Sequence, residues 1–298
     1  MVTAAGVWDP PALPGSGAGP DPNRMVCGSE GTLGVITQAR MRVRPRPDWR
    51  GKADVVFGSW DAAVACVREI AQSGLHPSNC RLLDKREALL HQVNAGQTVL
   101  LLGFESAHGS RQAWLDAALA ICARHGGVAQ TRTDEGVSGQ QAWKAAFLQA
   151  PYLATSLVTL GVMADTFETA CTWSAFGALH RDVISTVRAT LEETCGAGFV
   201  ACRFTHVYPD GPAPYYTFVG VPAEGREIET WWAVKRAASD VLARHGATIT
   251  HHHAVGRFHR PWYLDQSPPA FVDALRAVKA TLDPAGVLNP GVLIDADG

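Results

Sequence analysis

The residue types best suited to ligand binding occur first in the glycine-rich run GSEGTLG, residues 28–34. Glycine adopts positive φ at little cost and lets the backbone approach a ligand closely, and consecutive N–H groups beside hydroxyls suit a phosphate. The run is neither a GxGxxG motif after a strand nor a P-loop, since no lysine follows it. Spacing alone leaves two interpretations open: a phosphate-binding loop, or an ordinary tight turn before a strand over residues 35–37.

The second segment with chemical potential is a run of three histidines, His251, His252 and His253, at the end of an expected strand over residues 247–252. Because side chains alternate along a strand, His251 and His253 would share one face and His252 would point away. The three histidines would therefore not surround one metal ion, and no carboxylate or cysteine lies close in sequence. We therefore predict no metal site. Imidazoles can instead exchange protons or donate hydrogen bonds near neutral pH. The alternative is a polar strand end.

The elements between these segments repeat one order of strands and helices. The expected strands cover residues 54–58, 80–83, 98–104 and 127–131 in the first half, and residues 157–162, 199–207, 215–221 and 247–252 in the second. Helices capped by Ser59 and Ser110 lie in the first half, and helices ending at Gly196 and His245 lie in the second. Each half has the β-α-β-β-α-β order of a ferredoxin-like unit. We therefore predict an α+β fold in which both halves form one antiparallel sheet with helices over one face.

The composition excludes several classes of protein. Lysine and arginine total 26 and aspartate and glutamate total 28, a formal net charge of −2, whereas nucleic-acid binding through bulk charge needs a strongly basic surface. No uninterrupted run of about 18 apolar residues is present to span a membrane, and the first residues do not resemble a secretory signal. The seven cysteines are dispersed without a CxxC pair, so we expect free thiols and a cytoplasmic protein.

Several runs resemble the FAD-linked oxidases of the vanillyl-alcohol oxidase type. GSEGTLGVIT at residues 28–37 resembles a family signature, and HHHAVGRFHRPW at 251–262 resembles the active-site stretch of the alkyldihydroxyacetonephosphate synthase branch. LDPAGVLNPG at 282–291 is similar to the family's closing motif. CRLLD at 80–84 resembles a stretch whose arginine matters for activity, and residues 210–218 resemble the stretch with the branch's catalytic tyrosine. The resemblance covers residues 16–293.

The resemblance implies a domain organisation in which the family's first flavin-binding half is absent from this chain. Residues 1–50 would be the end of the FAD-binding domain, residues 51–250 the cap or substrate domain, and residues 251–298 a return to the FAD-binding domain. A flavin-binding half is then an expected partner, beside a small-molecule or lipid substrate, and a homodimer is compatible with the resemblance.

The resemblance also implies FAD as cofactor and assigns site residues. The implied cofactor-binding residues are Gly28, Ser29, Glu30, Gly31, Thr32, Leu33, Gly34 and Asn289. The implied catalytic residues are Tyr215, Arg81, His251, His252 and His253. In that branch, acyl is exchanged for alkyl on dihydroxyacetone phosphate through flavin N5, a step of ether-lipid synthesis. Tyr215 would exchange a proton with the substrate carbon. A phenol has an ordinary pKa of about 10, so it needs cationic or hydrogen-bonding neighbours to act as a base; the histidines and Arg81 are the candidates.

One departure from the branch and two alternative functions remain. Ala154 and Thr155 stand where the branch has Arg-Asp, and alanine cannot replace the bidentate phosphate clamp of a guanidinium. An FAD-linked 2-hydroxyacid dehydrogenase is one alternative, although its histidine motifs are not matched at residues 206–211 and 252–254. A non-catalytic binding module is the other, because a fold does not by itself determine function.

Overall fold

The computed structural model describes residues 1–13, 17–94, 96–130 and 139–294, and within these all side chains except those of residues 140, 147, 150, 151, 153 and 154. Contacts divide the chain into two compact units. The terminal unit comprises Met1–Arg44 and Ile249–Gly298, and the central unit comprises Pro45–Thr248. The assignment of residues 1–50, 51–250 and 251–298 to flavin-binding and cap domains stays a prediction.

Each element is labelled in chain order. The strands are β1 (Val2–Thr3), β2 (Gly6–Val7), β3 (Trp49–Phe57), β4 (Asn79–Leu83), β5 (Thr98–Ser106), β6 (Val128–Gln130), β7 (Met163–Glu168), β8 (Gly198–Val207) and β9 (Pro212–Gly220). The helices are α1 (Pro22–Val26), α2 (Trp60–Gln72), α3 (Lys85–Leu90), α4 (Gln112–Arg124), α5 (Gly139–Thr159), α6 (Trp173–Cys195), α7 (Glu227–Arg244), α8 (Arg260–Gln266) and α9 (Pro269–Leu282). No helix among the described residues is long and apolar enough to cross a membrane.

The central unit is built on one antiparallel sheet of seven strands in the order β6-β3-β5-β4-β8-β9-β7. The first four strands follow the order of a complete ferredoxin-like unit, and β8, β9 and β7 follow that of a second unit without its fourth strand. The halves join where Leu82 of β4 lies opposite Phe204 of β8. The predicted merger of two ferredoxin-like halves into one antiparallel sheet is confirmed.

Alternate residues of the strands point to opposite faces, and the long helices cover one of them. Leu82 belongs to the main core, which also takes in buried residues of α2, α4, α6 and α7. Its neighbour Leu83 belongs to a smaller cluster on the other face, with Ala88 of α3 and Trp143 of α5. Helices α2, α4, α6 and α7 therefore share one face as predicted, whereas α3 and the first turns of α5 lie on the opposite face.

The predicted strand over residues 157–162 is wrong, because α5 continues to Thr159 and β7 begins only at Met163. Gly161 has φ +72, and the N–H of Val162 donates to the Leu157 carbonyl at 2.9 Å, which is the geometry of a glycine-terminated helix end. Val158 is 69% exposed, as expected for the outer side of a helix rather than for a central strand. The apolar run at residues 157–162 was predicted as a strand because hydrophobic periodicity does not separate a short strand from a helix end.

The predicted strand over residues 247–252 is also wrong, since these residues form no strand in the structure. Thr248 lies beside Ala170, just beyond the end of β7. Its N–H donates to the Ala170 carbonyl at 3.0 Å, but the Ala170 N–H donates to the Thr248 hydroxyl at 2.7 Å. A side chain takes the place of the main-chain acceptor, so no ladder propagates. In the first half of the sheet, the strand predicted at residues 127–131 is observed as β6, and residue 131 lies outside the described residues.

The terminal unit contains the β1-β2 hairpin and helices α1, α8 and α9. The predicted strand over residues 35–37 is wrong, because Val35 forms only an isolated bridge to Val2 and Ile36 is 61% exposed. A strand needs a neighbour for its backbone groups, and among the described residues this segment has only that single bridge.

Acid stability of the central unit is expected to depend on His180, a mostly buried residue of α6. Its ring lies 5.5 Å from that of Trp60 and 5.9 Å from that of Tyr216, and burial lowers its pKa to about 4. An unfolded histidine titrates near 6.5, so the unfolded state binds more protons between these values. The free energy of unfolding should therefore fall as pH drops from about 6.5 to 4, by roughly 2 to 3 kcal/mol from this group. Urea unfolding at several pH values should show a smaller loss in His180→Phe.

The matched control is His108→Gln, because His108 is exposed and its replacement should leave the pH dependence as in the wild type. Equal losses of stability between pH 6.5 and pH 4 in His180→Phe and the wild type would contradict the role of His180.

Candidate functional site

The face of the central sheet opposite α2, α4, α6 and α7 carries a polar group of residues around Arg203. Arg203 of β8 lies directly opposite Tyr215 of β9, and its guanidinium carbon is 3.7 Å from the centroid of the Tyr215 ring. The Tyr215 hydroxyl donates to the Thr166 hydroxyl of β7 at 2.9 Å. The neighbouring Tyr216 is fully buried on the other face, where burial raises its pKa. Of the two adjacent tyrosines, only Tyr215 therefore belongs to this polar face.

Glu87 of α3 anchors the Arg203 side chain. An amino group of Arg203 donates to Glu87 at 2.9 Å, the Thr217 hydroxyl donates to the second carboxylate oxygen, and His91 Nε2 lies 3.0 Å from the first. Burial alone would raise the pKa of Glu87, but the hydrogen bond with His91 and the charge of Arg203 together hold it below its usual range. Glu87 is thus a buried carboxylate that is ionised at neutral pH and fully paired.

The first turn of α3 places Glu87, and Asp84 forms that turn. One Asp84 oxygen accepts from the N–H groups of Arg86 at 2.9 Å and Glu87 at 2.7 Å, and the other accepts from the Cys202 N–H of β8 at 2.7 Å. Desolvation raises the pKa of Asp84 to about 6, although these three bonds act in the opposite direction. The cap therefore ties α3 to the strand that carries Arg203.

Arg81, the second arginine of this face, shares an aromatic neighbour with Arg203. Its guanidinium carbon lies 4.7 Å from the Trp143 ring centroid, and that of Arg203 lies 5.1 Å from the same ring. Burial and the neighbouring Arg203 charge lower the pKa of Arg81 to about 10, so it stays a cation at neutral pH. Among the described residues no carboxylate forms an ion pair with Arg81, and its buried Nε has no hydrogen-bond partner. The structure thus brings the predicted residues Arg81 and Tyr215 onto one face and leaves Arg81 available to an anion.

In the terminal unit, three segments far apart in sequence meet at Glu30. The Glu30 carboxylate accepts from the N–H groups of Val255 at 2.7 Å and Gly256 at 2.8 Å, two and three residues after the last of the three histidines. The Asn289 amide of the closing motif donates to the Glu30 carbonyl. The glycine-rich loop, the histidine segment and the closing motif are therefore joined directly to one another.

Lys279 of α9 forms a second link between the glycine-rich loop and the closing motif. It is only 3% exposed, and its ammonium donates to the carbonyls of Thr32 at 2.8 Å and Leu288 at 2.7 Å. The same ammonium pairs with Asp283, and this hydrogen bond lowers the pKa of Asp283. One buried cation thus holds the loop, the helix and the tail together.

The backbone of the glycine-rich loop at Gly28, rather than its hydroxyls, is the part left open to a ligand, and the loop's role in cofactor binding stays a prediction. Gly28 and Gly31 have φ of +84 and +76, and a Cβ at Gly28 would meet no atom within 4 Å, so the backbone there is open to a ligand. Ser29, Thr32 and Leu33 are buried within the unit, and the Thr32 hydroxyl donates to the Ser29 carbonyl at 2.7 Å. The interpretation of the Thr32 hydroxyl as a phosphate donor is therefore corrected, because its hydrogen is already used.

Gly34, at the end of the loop, has no room for a side chain. A Cβ at this position would lie 2.6 Å from the Val2 carbonyl oxygen, closer than any real contact. Its place among the cofactor-binding residues stays a prediction, and the visible reason for glycine here is the close approach of Val2.

The three histidines do not alternate as predicted, because the segment is not a strand. The rings of His251 and His252 have centroids 3.9 Å apart with an interplanar angle of 56°, so these two neighbours lie side by side. The N–H of His253 donates to the Thr250 hydroxyl at 3.1 Å, which turns the backbone at this point. The catalytic roles of the three histidines stay predictions, as do those of Tyr215 and Arg81.

Sequence analysis missed four residues that organise these sites: Glu87, Trp143, Arg203 and Lys279. Only Glu87 lies in a local sequence pattern that could have revealed it. Asp84 and Glu87 have the spacing of a helix N-terminal capping box, which could have predicted α3 and its acidic residue. The other three act through contacts with distant residues.

Comparisons with known proteins agree with this architecture. The structure superimposes on that of alkyldihydroxyacetonephosphate synthase with a TM-score of 0.75 at 19% identity, over 97% of this chain and 52% of that chain. It also superimposes on p-cresol methylhydroxylase with a TM-score of 0.64 at 15% identity, over 85% of this chain and 54% of that one. At these identities the likeness concerns the fold alone.

Curated relatives extend the comparison to sequence. Alkyldihydroxyacetonephosphate synthase of Trypanosoma brucei brucei is 26% identical, over 99% of this chain and 51% of that protein. The synthase of Caenorhabditis elegans is 27% identical, over 96% and 52%. Glycolate oxidase subunit GlcD of Bacillus subtilis is 24% identical, over 94% and 58%. The chain thus spans about half the length of the curated relatives it matches.

The family assignment follows from a match over most of the chain. Residues 46–293 match the family model for the C-terminal domain of FAD linked oxidases. This match confirms the resemblance seen in the sequence motifs and indicates FAD as the cofactor. The chain belongs to the FAD-linked oxidase family and contains that family's C-terminal domain.

Proposed function

We propose that this chain supplies the substrate-handling part of an FAD-dependent transferase of the alkylglycerone-phosphate synthase type. The observation that carries the proposal is that Tyr215, Arg203 and Arg81 share one polar face of the sheet, with Arg81 uncommitted to any carboxylate among the described residues. The similarity to synthases from two organisms supports this choice. Because the chain spans about half the length of these relatives, the proposal includes a flavin-binding half as its partner.

The chain's own residues have distinct tasks in this reaction, which exchanges a fatty acid for a fatty alcohol on dihydroxyacetone phosphate. FAD supplies the electron-accepting ring that activates the substrate. Tyr215, as a phenolate, accepts the proton of the substrate carbon, and the phenol so formed donates to the Thr166 hydroxyl, 2.9 Å away, which fixes its direction. Arg81 attracts an anionic group of the substrate, because a buried guanidinium with a free donor favours a charge-assisted hydrogen bond.

The position of Ala154 determines which substrates must be compared. Its side chain lies outside those that the structure describes, and alanine offers no donor to a phosphate where the synthase branch has arginine. Substrates with and without a phosphate therefore need to be tested in parallel, with Arg81 as the cation common to both cases.

We expect Tyr215→Phe to lower turnover at least 100-fold, the typical contribution of a positioned proton-transfer group. The assay follows labelled fatty alcohol entering acyl dihydroxyacetone phosphate, with this chain co-expressed with a flavin-binding half and the visible flavin bands confirming loading. Tyr208→Phe is the matched control, since Tyr208 lies in the turn after β8 and is 42% exposed.

Three other results would contradict the proposal. Flavin-dependent oxidation of glycolate or D-lactate, without alcohol exchange, would favour the dehydrogenase that the similarity to GlcD suggests. Ligand binding without turnover or flavin bands would favour a binding module. Full turnover by Tyr215→Phe would show that the proton is moved elsewhere.

A further inference from the structure

The contact between Arg203 and Tyr215 is built into the sheet. The two residues are directly paired across β8 and β9, and the guanidinium carbon lies 3.7 Å from the ring centroid. A planar guanidinium at this distance stacks on a ring and holds its plane, which a flexible ammonium does less well. The contact therefore restricts the direction in which the phenol oxygen of Tyr215 can point.

Arg203 is itself held by hydrogen bonds to Glu87 and Thr217. Its side chain is 11% exposed and contacts the fully buried carboxylate of Glu87 at 2.9 Å and the Thr217 hydroxyl at 3.3 Å. Glu87 is in turn fixed by His91 and by the capped first turn of α3. A chain of contacts thus runs from His91 through Glu87 and Arg203 to Tyr215.

Stability alone is a weak reason for this arrangement. Buried ion pairs often contribute little compared with apolar residues of similar volume, because both charges must be desolvated. Arg203 and Glu87 could form their ion pair without a tyrosine nearby. The Arg203 guanidinium nevertheless faces the ring of Tyr215, whose hydroxyl donates to Thr166.

We propose that Arg203, held by Glu87, is a positioning residue that orients the Tyr215 ring so that its hydroxyl stays at Thr166. This inference rests on the proposed function for its catalytic meaning, but the geometry itself can be tested without turnover. Neither the family assignment nor the sequence motifs point to Arg203 or Glu87.

The first test measures the environment of Tyr215 in the chain as it exists. NMR spectra of the chain with isotope-labelled tyrosine contain five signals, one for each tyrosine. The Tyr215 signal is assigned as the one that is lost in Tyr215→Phe. In Arg203→Met this signal should shift and broaden while the other four stay in place, and Arg203→Lys should give an intermediate position. Arg50→Met is the matched control, because Arg50 forms an exposed cross-strand pair with Glu105 at 3.1 Å and contacts no tyrosine ring among the described residues.

The second test measures turnover in the co-expressed holoenzyme. A misoriented proton-transfer group should lower kcat roughly tenfold to 100-fold in Arg203→Met with KM little changed, and Arg203→Lys should restore part of kcat. A residue with a merely structural role would lower thermal stability and leave kcat of the folded fraction unchanged.

The outcomes separate this inference from the proposed function. An unmoved Tyr215 signal in folded Arg203→Met overturns the inference, and where that variant does not fold, an unmoved signal in Arg203→Lys overturns it. If Tyr215→Phe abolishes turnover but Arg203→Met keeps the wild-type kcat, the inference is wrong and the proposed function stands. If the signal moves but Tyr215→Phe is fully active, the positioning is upheld and the proposed function fails.

Discussion

Replacement of Lys279 by methionine is expected to lower the free energy of unfolding of the terminal unit by about 3 kcal/mol or more, the usual cost of breaking a buried ion pair from one side. The ammonium is 3% exposed and is the donor for the carbonyls of Thr32 and Leu288 and for the carboxylate of Asp283. Methionine fills a similar volume but leaves these three acceptors inside the unit without that donor. Chemical denaturation monitored by tryptophan fluorescence measures the loss.

The double variant Lys279→Met with Asp283→Leu provides the informative comparison. Removing both charges should recover part of the stability, because no uncompensated carboxylate remains. Both variants lack the tie to the Thr32 carbonyl in the glycine-rich loop, so we expect both to bind flavin more weakly than the wild type in the co-expressed holoenzyme. Lys85→Met is the control, since Lys85 is exposed at the start of α3. A loss for Lys279→Met no larger than that for Lys85→Met would contradict the role of Lys279.

Elements with local signals were predictable from the sequence. α2 starts after Ser59, whose hydroxyl accepts from the Ala62 N–H, and α6 ends at Gly196 with φ +71. Caps and 3.6-residue periodicity act within a few residues, so the information for these elements lies in one short segment.

Two of the three wrongly predicted strands failed for want of a distant partner. The runs at residues 35–37 and 247–252 have strand-like composition, but a strand exists only where a neighbour supplies a continuous ladder. Val35 has one bridge and Thr248 uses its side chain, so neither run is a strand. At residues 157–162 the deciding feature was Gly161, which ends a helix that had not been predicted.

The residues of the candidate site were likewise predictable only where a local motif contains them. Tyr215 and Arg81 were found because they lie in recognisable motifs, whereas Arg203 became visible only through its partners. Glu87 and Arg203 are separated by 116 residues, and no pattern in the chain links them. Register across β8 and β9 decides that Arg203 faces Tyr215, and a shift of one residue would place Arg203 on the other face.

Replacement of Glu30 by alanine is expected to release the histidine segment of the terminal unit. The Glu30 carboxylate accepts from the N–H groups of Val255 and Gly256, and hydrogen bonds to a charged acceptor contribute about 1.5 to 3 kcal/mol each. Losing two of them should speed amide hydrogen exchange at residues 255 and 256 by roughly 100-fold or more, since each 1.36 kcal/mol of local stability is tenfold in an equilibrium constant. Exchange followed by mass spectrometry on peptides covering residues 251–256 measures the effect.

Glu30→Gln and Glu105→Ala complete this experiment and decide what Glu30 does. Glutamine keeps one acceptor oxygen, so exchange should rise less than in Glu30→Ala, and Glu105→Ala removes an exposed carboxylate that pairs only with Arg50 in the described contacts. Unchanged amide exchange in Glu30→Ala would contradict the role of Glu30 in holding the histidine segment.

Both Glu30 carboxylate oxygens already accept hydrogen bonds from the main chain, and the Glu30 carbonyl accepts from Asn289. The acidic residue of the GSEGTLG run therefore serves to hold the histidine segment and the closing motif against the glycine-rich loop.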